Sequence, residues 1–149
     1  ALALGLLLGS LAPGLWTAMQ GADATDAQLP ESYVGVLATV DGRPGLIVSS
    51  LRRGRVVDLK RLAAIDVPAG RTLFLWTLDA QGRAEPVGAL PPLAAFTRVP
   101  LPQAAEALFQ RAVELAVSIE PTGATPAQPG SPFVYRGLCG KLWPPPAPR

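Results

Sequence analysis

Five cations crowd one short stretch of this chain: Arg52, Arg53, Arg55, Lys60 and Arg61 fall within ten positions. Such a density suits phosphate groups, of lipid or of nucleic acid. Proteins that read single strands interleave aromatic rings with their cations so that bases can stack, and this run has no ring. It therefore reads first as the charged rim of a hairpin, where like charges discourage pairing between sheet edges. The acids Asp41, Asp58, Asp66, Asp79, Glu85, Glu106, Glu114 and Glu120 are scattered, most of them in expected turns or on outward faces. Glycoside hydrolysis needs two carboxylates opposed across a cleft, and a carboxylate hydrolase is the third and last of the readings kept. Tyr33, Phe74 and Trp76 could offer a ligand surface, but aromatic residues at strand spacing more often fill a core, and core is the reading taken. Cys139 is either a free thiol or one end of an intermolecular bridge; an inert, buried thiol is the reading taken.

Composition removes other chemistry. With no His, neither a Ser-His-Asp nor a Cys-His centre can be built. One Cys and no His leave no ordinary zinc site within the chain and no internal disulfide. There is no Asn, hence no N-glycosylation acceptor. A net charge of +2, from 13 basic and 11 acidic residues, gives no nucleic-acid signature. Gly42 and Gly45 belong to a turn with no helix after it, so no phosphate-cradling loop is formed. The expectation is a protein that is not an enzyme, with no cofactor, no metal and no nucleic-acid partner.

The elements that must position these residues are mostly strands. Val67–Leu90 anchors the reading. Pro68-Ala69-Gly70 turns the chain, and Arg71–Leu78 follows, rich in β-branched and aromatic side chains. Leu73, Leu75 and Thr77 share one face; Thr72, Phe74, Trp76 and Leu78 share the other. Both are mostly apolar, so the strand is expected to be buried on both sides and central. Asp79–Arg83 reverses the chain, and Ala84–Leu90 returns as an edge or bulged strand, because Pro86 lacks an N–H.

Before this pair, Tyr33–Val40 and Leu46–Ser50 flank the turn Asp41-Gly42-Arg43-Pro44-Gly45. After a turn around Gly54, Val56–Leu62 puts Val57 and Leu59 on one face and Asp58 and Lys60 on the other. Apolar residues at helical spacing predict a short helix over 101–112, introduced by Pro100 and Pro102. Val113–Ile119 alternates, predicting one buried and one wet face. Glu120–Pro132 reads as a loop and Phe133–Leu138 as a last strand. Gly- and Pro-marked turns about every ten residues argue for an antiparallel sandwich or barrel. The fold class expected is mainly β, sandwich-like, with that one helix.

Two end segments differ. Ala1–Met19 is uncharged and nearly reaches the roughly 20 apolar residues of a membrane span, with Trp16 where an interfacial aromatic would sit. A membrane anchor is expected over 1–20, truncated at its start; a signal sequence with a weak cleavage site at Ala22-Asp23-Ala24 and a buried helix are the alternatives. A polar linker over 21–31 follows. Its residues Gly21, Ala22, Asp23, Ala24 and Thr25 form a candidate proteolysis site, since cleavage concentrates on exposed, unpaired backbone. The expected β domain spans 32–140 and a Pro-rich tail 141–149.

Three segments together resemble the extracytoplasmic domain of the anti-sigma-K factor family, membrane-anchored regulators of bacterial sigma factors. The first is Tyr33-Val34-Gly35-Val36-Leu37 with Asp41-Gly42-Arg43-Pro44. The second is Pro68-Ala69-Gly70-Arg71 with Leu75-Trp76 and Pro86-Val87-Gly88-Ala89-Leu90. The third is Leu115-Ala116-Val117-Ser118-Ile119-Glu120-Pro121, a Gly/Pro loop from Gly123 to Pro132, and an apolar strand ending at Gly137. The resemblance implies a cytoplasmic sigma-binding segment, one transmembrane helix and this outer domain, with regulated proteolysis releasing the sigma factor. It implies the membrane, a cognate sigma factor and membrane proteases as partners. It also implies a single-pass inner-membrane location with residues 21–149 on the periplasmic side. Two features depart from the pattern. The sequence starts within the apolar run, which assigns sigma binding to a preceding segment, and the loop reads G-A-T-P-A-Q-P-G-S-P. The alternative from another class is a secreted or membrane-anchored β-sandwich that binds a ligand such as a glycan through exposed aromatics near Trp76 or Trp143.

Overall fold

The computed structural model describes residues 30–51 and 55–143. The expected anchor over 1–20, the candidate site Gly21–Thr25, Arg52 and Arg53, and the end of the Pro-rich tail lie outside the described residues. Among the described residues no helix is long and apolar enough to cross a membrane.

The strands are β1 (Ser32–Thr39), β2 (Pro44–Leu51), β3 (Val56–Arg61), β4 (Arg71–Leu78), β5 (Ala84–Ala89), β6 (Phe96–Pro100), β7 (Glu114–Pro121) and β8 (Phe133–Leu142); helix α1 spans Ala105–Arg111. All pairings are antiparallel, and together they make one eight-stranded sheet in the order β5-β4-β7-β8-β1-β2-β3-β6. The expected mainly β, antiparallel fold with one short helix is found, and the sandwich-like arrangement is corrected to a single sheet curled into a half-barrel. The turn signals identified the hairpins β1–β2, β2–β3 and β4–β5. They carried no information on the joins β4–β7, β8–β1 and β3–β6, which connect strands far apart in sequence and decide whether there is one sheet or two.

Curling lets one apolar cluster serve most of the sheet. Leu37, Val48, Leu59, Leu75, Val117 and Tyr135, from six different strands, pack together on the inner face with Phe109 of α1. β4 carries the expected double-sided burial, but it lies next to the edge rather than in the centre. Its outer face is dry because Phe74, Trp76 and Leu78 form a second cluster with Ala116, Ala84 and Phe133. The same cover corrects the reading of β7. Ala116 and Ser118 were expected on a wet face, and both are fully buried. α1 is shorter than the predicted 101–112 and starts where Ala105 N–H donates to Pro102 O, 3.0 Å away. β6 is absent from the sequence reading, although F-T-R-V-P alternates in exposure as a half-buried strand should.

Three places where the register slips by one residue shape the site described below. At Leu37/Ala38 the partner shifts from Leu46 to Pro44, leaving Gly45 over. At Leu75/Trp76 it shifts from Gly88 to Pro86, so β5 is both the edge and the bulged strand that Pro86 predicts. At Val117/Ser118 it shifts from Tyr135 to Phe133. Phe133 and Tyr135 are two apart and would share a face in a regular strand. The extra residue, Val134, instead sends Phe133 to the outer cluster and Tyr135 to the inner one.

Candidate functional site

Two features bring polar chemistry into this apolar frame. The first lies under the loop between β7 and β8. Trp76 Nε1 donates to Ser118 Oγ at 2.8 Å, and Ser118 Oγ donates to Glu120 Oε1 at 2.6 Å. Gly130 N–H donates to the same carboxylate oxygen at 3.0 Å. Trp76 and Ser118 are fully buried and Glu120 nearly so. This corrects the sequence reading of Glu120 as the start of a solvated loop. A buried carboxylate is costly unless hydrogen-bonded, and this one holds the far end of the loop to the strand that precedes it. Gly130 is needed there for room: a Cβ at that position would stand 2.8 Å from Glu120 Oε2. Ser131 Oγ closes the loop further by donating to Ile119 O, and Thr122 N–H bonds Gly70 O at 2.9 Å.

The second feature is a cavity of about 350 Å³ at one end of the inner face. Its floor is Leu73, Leu90 and Tyr135, all buried. One wall is the β3–β4 connection, with Ile65 and Val67, and the other is the β5–β6 connection, with Leu93. Each wall is tied down. Tyr135 Oη donates to Ala63 O at 2.6 Å, and the N–H groups of Leu62 and Ala63 both reach Gly45 O. Thr72 Oγ1 donates to Leu90 O at 3.0 Å, and Arg61 Nη1 to Leu93 O at 2.7 Å. The slip at Gly45 sets the tyrosine: a Cβ on residue 45 would lie 2.6 Å from its Cε1. Burial pushes the Tyr135 phenol above its usual pKa, and the nearby Arg61 cation pulls it partly back, so at neutral pH it is a protonated donor.

Arg61 and Arg71 stand at the rim of this cavity, both exposed. Of the expected basic run, Arg61 thus faces the cavity, Lys60 and Arg55 are exposed, and Arg52 and Arg53 are outside the described residues. Arg71 was not singled out; the signal was its place directly after the Pro-Ala-Gly turn, at the mouth of the strand pair. Five other arginines sit in ion pairs: Arg43–Asp41, Arg83–Asp79, Arg98–Asp58, Arg111–Glu85 and Arg136–Glu114. Arg61 and Arg71 have no carboxylate partner among the described residues. Asp66 also lines the cavity, without an ion pair to either.

The remaining candidates are placed as follows. Tyr33, Phe74 and Trp76 are buried, as expected of core aromatics; Tyr33 packs on Phe109 with ring centres 5.7 Å apart, and Phe74 on Trp76 at 4.8 Å. Trp76 therefore offers no ligand surface. Trp143 is exposed, but neither of these ring pairs includes it. Cys139 is half-buried, and burial raises its thiol to about 11, so it is not a thiolate at neutral pH. The acids named in the sequence reading are mostly engaged with arginines, and no group of three or more metal-ligating side chains converges among the described residues.

The comparisons with known proteins agree with the resemblance seen in the sequence. No curated protein and no solved structure matches the chain. The family model described as "Anti-sigma-K factor rskA, C-terminal" matches residues 1–133, from the apolar start through the whole of β7 and the loop latched by Glu120. With that match covering most of its 149 residues, the chain belongs to the anti-sigma-K factor C-terminal domain family, whose role is regulatory and whose partner is a sigma factor.

Proposed function

We propose that this chain is the outer, regulatory part of a membrane-anchored anti-sigma factor. In this reading residues 1–20 cross the membrane, 21–31 link the span to the β domain on the periplasmic side, and the domain shields that linker. Release of the sigma factor follows when membrane proteases cut within Gly21–Thr25. Sigma binding itself belongs to a cytoplasmic segment preceding residue 1. The observation that carries the reading is the family match, which runs without a break from the apolar stretch into the β sheet.

A shielding role asks for a braced domain, and the polar contacts of the β sheet are bracing ones. The buried polar side chains of Trp76, Ser118 and Glu120 are consumed in holding strands to the loop at Gly130. The linker joins β1 directly, and Glu31 N–H pairs with Leu142 O at 2.8 Å. Loosening the β1–β8 ladder would therefore loosen the anchorage of the linker's last residue.

The test is deletion of residues 33–138 from the full-length anti-sigma factor in cells, with a sigma-dependent reporter and an immunoblot for the cleaved linker. Constitutive cleavage and a reporter switched on are expected. Cleavage that still waits for the inducing signal would defeat the proposal.

A further inference from the structure

We infer that the cavity between the β3–β4 and β5–β6 connections binds a small amphiphilic anion, its acyl chain on the Leu73–Leu90–Tyr135 floor and its carboxylate or phosphate between Arg61 and Arg71. Four observations converge on this site. The volume of about 350 Å³ falls within the range of ~300–1,000 Å³ usual for small-molecule sites. The floor is apolar and buried while the rim is cationic, which matches a ligand with one apolar and one charged end. The walls are pinned by hydrogen bonds from Tyr135, Thr72 and Arg61, so little ordering entropy is lost on binding. Finally, among the described residues Arg61 and Arg71 have no carboxylate partner, whereas five other arginines do.

Arg61 spends Nη1 on Leu93 O, which leaves its Nε and Nη2 to donate. Arg71 makes no side-chain hydrogen bond among the described residues, so its planar fork is free for two-point recognition of an oxyanion. Asp66 is the counterweight. Its carboxylate lines the same space and repels an anion, but two cations outnumber it. The inference rests on the proposed function only in that residues 1–20 seat the chain in a bilayer for the assay; binding itself is measured on the 149-residue chain with no sigma factor present, so insertion without binding and failure to insert are told apart.

The chain is placed in phosphatidylcholine nanodiscs and titrated calorimetrically with octanoate, subtracting empty discs. Octanoate should bind with Kd below ~1 mM, and octanol and octylammonium should bind at least about tenfold more weakly. The double variant R61Q/R71Q should weaken octanoate binding about tenfold or more. D66N should strengthen it, which keeps the inference falsifiable even if the double variant folds poorly. Repeating the titration in phosphatidylglycerol discs separates two sources of the same chemistry. Unchanged binding indicates a free amphiphile as the natural ligand; loss of binding indicates that lipid headgroups already fill the cavity. No heat in phosphatidylcholine discs, equal binding of octanol, or unchanged affinity in R61Q/R71Q and D66N would overturn the inference.

Discussion

The two faces of the β4–β7 pair are built from the same two strands and end up with opposite properties. On the outer face, Trp76, Ser118, Glu120 and Gly130 form a polar chain in which each donor finds an acceptor, and the β7–β8 loop is fastened over it. On the inner face the apolar cluster is broader, and it opens at one end into a cavity whose rim arginines have no acidic partner among the described residues. The inner face even leaves Thr77 Oγ1 buried with no hydrogen-bond partner among the described residues. Polar satisfaction is thus concentrated where a loop must be held, while the spare donors of Arg61 and Arg71 stand where solvent or a ligand can reach them; Thr77, sealed in away from the cavity, stays unsatisfied. A fastened loop and an open pocket thus share β4: the first is a structural brace, and the second is where the inferred ligand would be recognised.

This contrast is open to direct attack. Trp76→Ala removes the centre of the outer cluster and should cost ~3–5 kcal/mol of stability, read as a shift in the urea midpoint. Glu120→Ala leaves Ser118 Oγ and Gly130 N–H without their acceptor and should cost ~1–3 kcal/mol. The β7–β8 loop should become the first site cut in limited proteolysis, whereas Glu120→Gln, which keeps one acceptor oxygen, should lose clearly less. Gly45→Ala presses on the Tyr135 ring from 2.6 Å and should cost ~1–3 kcal/mol, with octanoate binding weakened alongside. Lowering the pH should have a smaller effect. Hydrogen bonds from Arg98 to Asp58, from Arg83 to Asp79, and from Thr39 and Arg43 to Asp41 hold these carboxyls below their usual pKa. Their stabilisation is complete above the unfolded-chain value near ~4 and is lost as pH falls through the lower folded values. Melting midpoints should therefore be flat from neutral to about pH 5 and decline below about pH 4. Thr77→Val should be the smallest change and of opposite sign, neutral or slightly stabilising in the same melt, since it removes a buried hydroxyl that has no acceptor.

Much of this arrangement could be read from residue order. β4 was found to the residue, its two apolar faces foretold two clusters, and Pro86 marked β5 as an edge. The Gly42 turn at φ 83° and the Gly82 turn at φ 75° sit where their sequences placed them. The cavity was not legible, for a physical reason. Its floor depends on which way Tyr135 points, and that is decided by the register slip at Val134, which alternation along β8 does not reveal. Glu120 was misplaced because a carboxylate before a Pro/Gly loop looks solvated. Its burial depends on Trp76 and Gly130, 44 residues before and 10 after it. β6 escaped notice because Phe96-Thr97-Arg98-Val99 does not alternate apolar with polar residues and the strand ends on Pro100.

The position of β1 beside β8 has a mechanical consequence. The described β domain begins and ends at the same end of this antiparallel pair, with Ser32 opposite Leu142. Tension applied between the two ends would act across the strands, in line with their hydrogen bonds. The ladder would then be peeled one rung at a time, starting from Glu31–Leu142, instead of resisting as a block in shear. A modest pull is enough to start such unzipping, and the first stretch of backbone it lays bare adjoins the linker.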